Sequence, residues 1–133
     1  PHFGVMGVAP AESGRINSIP PVAFGGNIDN WRIGAGSTMY YPVFNQGANF
    51  FVGDSHMAQG DAELAGTAIE ASLNGYFQIF VLKDFKITNP ILETESHWIT
   101  HGFNEDLNKA MRQSADQMLD FLVTKRKMSP DEA

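Results

Sequence analysis

Phe50-Phe51-Val52-Gly53-Asp54-Ser55-His56-Met57-Ala58-Gln59-Gly60-Asp61-Ala62-Glu63 is the stretch on which the reading of this chain turns. An apolar run breaks abruptly into Gly-Asp-x-His, the pattern of a strand that delivers a polar loop. Strands hold such loops rigidly, and chemistry collects there. If the strand continues, Asp54 and His56 share one face, because successive strand side chains alternate. A carboxylate and an imidazole on one face are half of a site for a hard or borderline metal. They could equally form an acid–base pair. Asp61 and Glu63 have the same parity just past Gly60, and folding that turn back brings them towards Asp54 and His56. Glu63 is the preferred catalytic proton carrier, because a long carboxylate reaches a bound water, with Asp61 as the second catalytic candidate. The plainer role for Glu63 is a cap or salt bridge. Glu70 and Gln59 are expected to support this group from behind.

Working outward, the chain reads as strands followed by a helix. Phe3 to Ala9 is a short strand stopped by Pro10, and Ala11 to Gly36 is a long loop rich in Gly, Pro, Asn and Ser, anchored by Trp31 and Ile33. Thr38 to Phe44 and Ala48 to Val52 follow as strands. Thr67 to Leu73 is another, closed by the hairpin signal Asn74-Gly75, with Tyr76 to Phe85 as its partner. Ile87 to Ile99 is ambiguous, since Pro90 argues against a central strand. Asn104 can cap a helix running to Lys127, with Leu107, Met111, Ser114, Met118 and Leu122 at helical spacing. The expected fold is mainly β with one long C-terminal helix, a β-sandwich or partly open barrel that is part of a larger domain. Residues 1–133 form a single partial domain, with 1–100 the β-rich part carrying the site loops and 104–127 the packing helix.

Composition narrows the function. The 133 residues are 43% hydrophobic and 18% charged, so a packed core is expected. The formal net charge of −6 disfavours nucleic acid and anionic membrane surfaces as partners. The absence of cysteine excludes disulfides, thiolate metal sites and a cysteine nucleophile. No phosphate loop, dinucleotide fingerprint or Ser–Lys–Ser amidase signature is present. No basic stretch followed by an apolar core opens these residues, and a cytoplasmic location is expected. The strand-like start at Phe3 and the helix-start pattern Ser129-Pro130-Asp131-Glu132 lead to the expectation that the sequence is a fragment.

Four blocks, in order, carry a family resemblance. GVMGVAPAE (Gly4 to Glu12), GGNIDN (Gly25 to Asn30), Gly36 to Val43, and VGDSHMAQGDAELAGTAIE (Val52 to Glu70) resemble the acetamidase/formamidase family. Glu93-Thr94-Glu95 and Asn104 to Leu107 match more loosely. The resemblance implies hydrolysis of a short carboxamide, of the formamide or acetamide type, to carboxylate and ammonia. It also implies a homo-oligomer acting on a small amide, and it favours a site role for Asp29. Gly26 and Asn27, in the same glycine-rich loop, are then substrate-binding candidates, although an Asx-turn that merely holds the loop is the plainer reading. Amide hydrolysis needs an activated water, an electrophile at the carbonyl oxygen and a proton for the leaving nitrogen, and a divalent metal can supply the first two. Without cysteine its ligands must come from Asp, Glu and His; Asp54, His56 and Asp29 are the candidates, with Zn²⁺ the leading ion and Ca²⁺ the alternative. Two other readings stand beside this one. The substrate could be a cyclic amide such as a γ-lactam, or the segment could be a non-catalytic, metal-stabilised β-module. His97 and His101, flanking Trp98 near Glu93 and Glu95, could form a second patch, though a polar surface strand is the simpler expectation. His2 is expected at a strand start, with a site role open because it lies beside Gly4 to Val8.

Overall fold

The computed structural model describes residues 1–133. It contains two antiparallel sheets and one helix. The first sheet is built on β1 (His2–Gly7) and β4 (Phe51–Ala58), with β2 (Gly25–Asn27) outside β1 and β5 (Ile69–Glu70) outside β4. The second consists of β3 (Thr38–Tyr40), β6 (Ile91–Glu93) and β7 (Trp98–Thr100) in that order. Neither sheet closes on itself, so no barrel forms and the fold is mainly β with one C-terminal helix. Met6 of β1, Ile33 and Leu92 of β6 are the buried centre, with Phe3, Val52, Met39 and Ile99 packed around them. One core is therefore shared by both sheets.

The strands follow local sequence where a partner exists. Met6 pairs with Val52, and His2 with His56. β2 lies inside what reads as a long loop; three residues suffice because Val5, Met6 and Gly7 offer a ladder to Asn27, Gly26 and Gly25. Gly25 cannot carry a side chain, since a Cβ there would lie 2.7 Å from the Tyr41 ring, and its φ is +97°. The ambiguous region after Ile87 resolves into a β6–β7 hairpin, with Pro90 just before the first paired residue, where a missing N–H costs nothing.

Two expectations fail. The Asn74-Gly75 hairpin does not form, and Tyr76 to Phe85 makes no regular strand. Phe77 packs on Phe3 and Phe50, but Tyr76, Ile79, Phe80, Val81 and Leu82 are exposed. A strand is stabilised only by a neighbour that accepts its ladder, and no strand of these residues lies beside this segment. The helix also differs in phase. It spans Leu107–Thr124, capped by Asp106, whose carboxylate accepts from the backbone N–H groups of Asn108 and Lys109, while Asn104 accepts from Asp106 N–H. The buried face carries Gln117 and Phe121, with Ser114, Met118 and Leu122 half-buried, while Leu107 and Met111 at the start of the expected stripe are exposed. Phe121 stacks on Trp98, the Gln117 amide donates to the Asn89 carbonyl, and Ser114 exchanges hydrogen bonds with Thr100. The helix is held by the Phe121–Trp98 contact together with polar and small contacts. Near the C-terminus, Ser129 and Glu132 form reciprocal capping hydrogen bonds. No helix is long and apolar enough to cross a membrane.

Close helix docking depends on Gly102. A Cβ at that position would overlap the Ala110 carbonyl oxygen and lie 2.9 Å from Ser114 N, both backbone atoms that cannot rotate away. Gly102→Ala is expected to cost about 1–3 kcal/mol, the usual range for overpacking. Chemical denaturation checks this, and an unchanged midpoint would mean that the helix does not seat against Gly102.

Candidate functional site

The β1–β4 ladder builds the site. His2 faces His56 across β1 and β4, and His56 faces Glu70 across β4 and β5, so three strands set these residues in one row. The constant register places Gly4 opposite Asp54. The Asp29 backbone N–H then donates to the Gly4 carbonyl just beyond β2, at 3.1 Å, and brings a second aspartate to the same place. Both aspartates have left-handed backbones, with φ of 50° at Asp29 and 54° at Asp54. Asp tolerates this region better than most residues, but it is still strained, and such strain collects at functional positions.

His56 is fully buried. Its Nε2 lies 3.3 Å from an Asp54 carboxylate oxygen, 3.4 Å from one of Glu70 and 3.7 Å from one of Glu63. Ligand atoms of Asp29, Asp54 and His56 all lie within 4.8 Å of one another, as do those of His56, Glu63 and Glu70. No lysine or arginine pairs with these four carboxylates; Arg32 pairs with Asp61 instead. His56 Nε2, Glu63 Oε1 and Asp29 Oδ1 are buried without a hydrogen-bond partner. Unpaired buried polar atoms are costly, and a cluster of them that converges is a place for a cation.

Asp54, His56 and Asp29 converge, the first two expected from their spacing and Asp29 from the family resemblance. Glu63 lies in the same cluster, with its side chain 17% exposed. Glu70 stands closer than expected, because its carboxylate faces Nε2 directly instead of supporting a ligand from behind. Gln59 does lie behind the ring, at 3.1 Å from His56 Nδ1. Asp61 is not brought to the cluster. It is exposed and accepts hydrogen bonds from Trp31 Nε1 at 2.9 Å and Arg32 at 3.3 Å, which hold its carboxyl below the ordinary range. The turn at Gly60 points it outward to these partners, which sequence parity could not reveal. Gly26 and Asn27 edge a cleft of about 500 Å³ that touches the cluster through Asp54 and is walled by Ile16, Ile19, Phe24 and Phe51. The Asn27 amide donates to the Ile19 carbonyl and so shapes that wall. The second histidine patch does not form: His101 Nδ1 meets the Pro90 carbonyl, His97 meets Ser96, and Glu93 accepts from Tyr40.

Gly4 was absent from the site read in the sequence, and His2 stood there chiefly as a strand-start residue. His2 is buried edge-on against His56, with ring centroids 4.8 Å apart. Gly4 forms the floor. A Cβ there would collide with Asp29 Oδ1 and lie 2.6 Å from the His56 ring and 2.9 Å from Asp54 Oδ2. The signal for both was the strand register, which needs the partner strand.

Residues 7–126 match the model of the Acetamidase/Formamidase family. The chain belongs to the acetamidase/formamidase family. Over 92 residues it is 36% identical to the formamidase of Methylophilus methylotrophus, which covers 64% of this chain and 22% of that one. Over 47 residues it is 45% identical to the acetamidase of Mycolicibacterium smegmatis, covering 35% of this chain and 12% of that one. The crystal structure of an acetamidase from Yersinia enterocolitica superposes with a TM-score of 0.85 at 30% identity, covering 98% of this chain and 39% of that chain. A predicted acetamidase/formamidase from the thermophile Thermoanaerobacter tengcongensis gives 0.84 at 30% identity, with 98% and 43% covered. The chain thus spans about a fifth of the matched formamidase and about two fifths of the solved relatives.

The site gives two expectations. Gly4→Ala puts a methyl group among Asp29, Asp54 and His56, and should lower stability by about 1–3 kcal/mol. A denaturation curve identical to that of the parent would show that the Asp29 loop yields freely. The Asp29 carboxyl is pushed up to about 6, first by burial and then by the charges of Glu63 and Asp54. In the unfolded chain it returns to its ordinary value of 3.8, so between these values the folded state binds more protons. Stability then falls as pH rises through that window. Asp29→Asn should flatten this dependence in protein kept free of metal by a chelator, as measured by denaturant unfolding between about pH 4 and 6.

Proposed function

We propose that the full-length protein hydrolyses a short-chain carboxamide, of the formamide or acetamide type, to carboxylate and ammonia by means of metal-activated water. The observation that carries this reading is the group of buried atoms without hydrogen-bond partners, His56 Nε2, Glu63 Oε1 and Asp29 Oδ1, gathered with Asp54 and Glu70. An imidazole nitrogen among carboxylate oxygens, with no cysteine, is a donor set that suits Zn²⁺. His56, Asp54 and Asp29 are the proposed ligands. The bound ion would lower the pKa of a water and polarise the amide carbonyl.

The chain's own residues supply the rest. Glu63, largely buried beside His56, is proposed to accept the proton of the attacking water and return it to the amide nitrogen, so that ammonia departs in place of an amide anion. Glu70, more exposed on β5, adds negative charge beside Nε2 and favours retention of a cation. Gly26 and Asn27, at the mouth of the cleft beside Asp54, are proposed to orient the amide, with Ile16, Ile19, Phe24 and Phe51 keeping its acyl side away from water. The names of the relatives, formamidase and acetamidase, support linear amides as the substrate class.

Elemental analysis of the full-length protein should find a divalent ion, and amide hydrolysis should vanish on chelation and return with Zn²⁺. Full activity in metal-free protein would end the reading. Glu63→Gln should keep fold and metal but lose turnover by about 10²–10⁴-fold, the usual weight of a general acid–base. A kcat close to that of the parent would remove Glu63 from this role.

A further inference from the structure

We propose that His2 and Gln59 are positioning residues that keep hydrogen on His56 Nδ1, so that Nε2 is the ring nitrogen turned towards the carboxylates and left for a cation. The Gln59 side chain sets the direction of the contacts. Its Nε2 donates to the backbone carbonyl of Asp29, an atom that can only accept. This contact settles which way the amide lies, and Gln59 Oε1 must point the other way. That oxygen sits 2.9 Å from His2 Nε2 and 3.1 Å from His56 Nδ1, and the two ring nitrogens are 3.1 Å apart.

A carbonyl oxygen has lone pairs and no proton. A neutral ring that turned a bare nitrogen to it would set lone pair against lone pair at hydrogen-bond distance. Within this triangle, only the arrangement in which both His2 Nε2 and His56 Nδ1 carry hydrogen avoids that repulsion. Both rings are buried, at 3% exposure for His2 and 0% for His56, so water cannot stand in for the missing partner. With Nδ1 committed to Gln59, Nε2 is the ring nitrogen that faces Asp54, Glu63 and Glu70. A flip of the His56 ring would set carbon in place of Nδ1 and lose its contacts with both Gln59 and His2. The same amide grips the Asp29 backbone, so one side chain ties two arms of the site together.

The tautomer assignment stands on these contacts alone; its consequence for metal affinity rests on the metal reading above. The test uses full-length, metal-free protein with ¹⁵N-labelled histidine. Long-range ¹H–¹⁵N spectra should show hydrogen on His56 Nδ1. A His56 Nδ1 without hydrogen in the parent protein overturns the proposal, and this measurement needs no variant. In Gln59→Leu the Nδ1–H preference should be lost, and Zn²⁺ affinity should fall about 10–100-fold, as when the partner of a ligating imidazole is removed. Unchanged tautomer in the folded variant would also overturn the assignment. His2→Gln keeps a donor towards Gln59 and should retain the parent tautomer, whereas His2→Leu should weaken it; equal behaviour of the two removes His2 from the device. If zinc binds none of these proteins, the metal reading fails while the spectra still decide the tautomer.

Discussion

Everything else at the site depends on the antiparallel register of β1 against β4. With His2 opposite His56 and Met6 opposite Val52, the same ladder serves the core at one end and the polar cluster at the other. Antiparallel pairing specifies register strongly when one face is buried, because a one-residue slip turns every side chain to the other side. Here a slip would expose Met6 and separate His2 from His56 together. Gly4 lies between these two ends, and the space above its missing side chain is where the carboxylates of Asp29 and Asp54 meet the His56 ring. The site is thus a gap in the packing of a strand pair, held open by a residue with no side chain.

That gap concentrates negative charge. Four carboxylates surround one buried imidazole, and none of them pairs with lysine or arginine. The cost is visible in two places. Burial and neighbouring charge push the Asp29 carboxyl up to about 6, and the backbones of Asp29 and Asp54 sit in the left-handed region. A folded chain keeps such an arrangement only when its surroundings over-determine it. The hydrogen bond from Asp29 N–H to Gly4, the grip of Gln59 on the Asp29 carbonyl and the β1–β4 ladder are the constraints that do so.

Away from the site, polar contacts join an aromatic pair in holding the helix. The helix docks through Ala110 over Gly102, Ser114 on Thr100, Gln117 on Asn89 and Phe121 on Trp98. Leu107 and Met111, at the start of the expected apolar stripe, point outward. Together with the exposed run Ile79 to Leu82 they give this part of the chain more apolar surface than its own elements cover.

The sequence by itself determined the residue types of the site and the class of the fold. The break from Phe51-Val52 into Gly53-Asp54-Ser55-His56 announced a strand with a carboxylate and an imidazole two apart, and strand alternation alone put them on one face. Local signals also marked a long helix near the C-terminus. Tertiary structure decided which residues join them. Asp61 and Glu63 have the same parity, yet Asp61 is drawn out to Trp31 and Arg32 while Glu63 turns in to His56. His2 and Gly4 enter the site because of where β1 lies against β4, a pairing across some fifty residues that no local pattern encodes. Tyr76 to Phe85 has the composition of a strand without the structure of one, because a strand is completed by its neighbour, and propensity does not supply that neighbour.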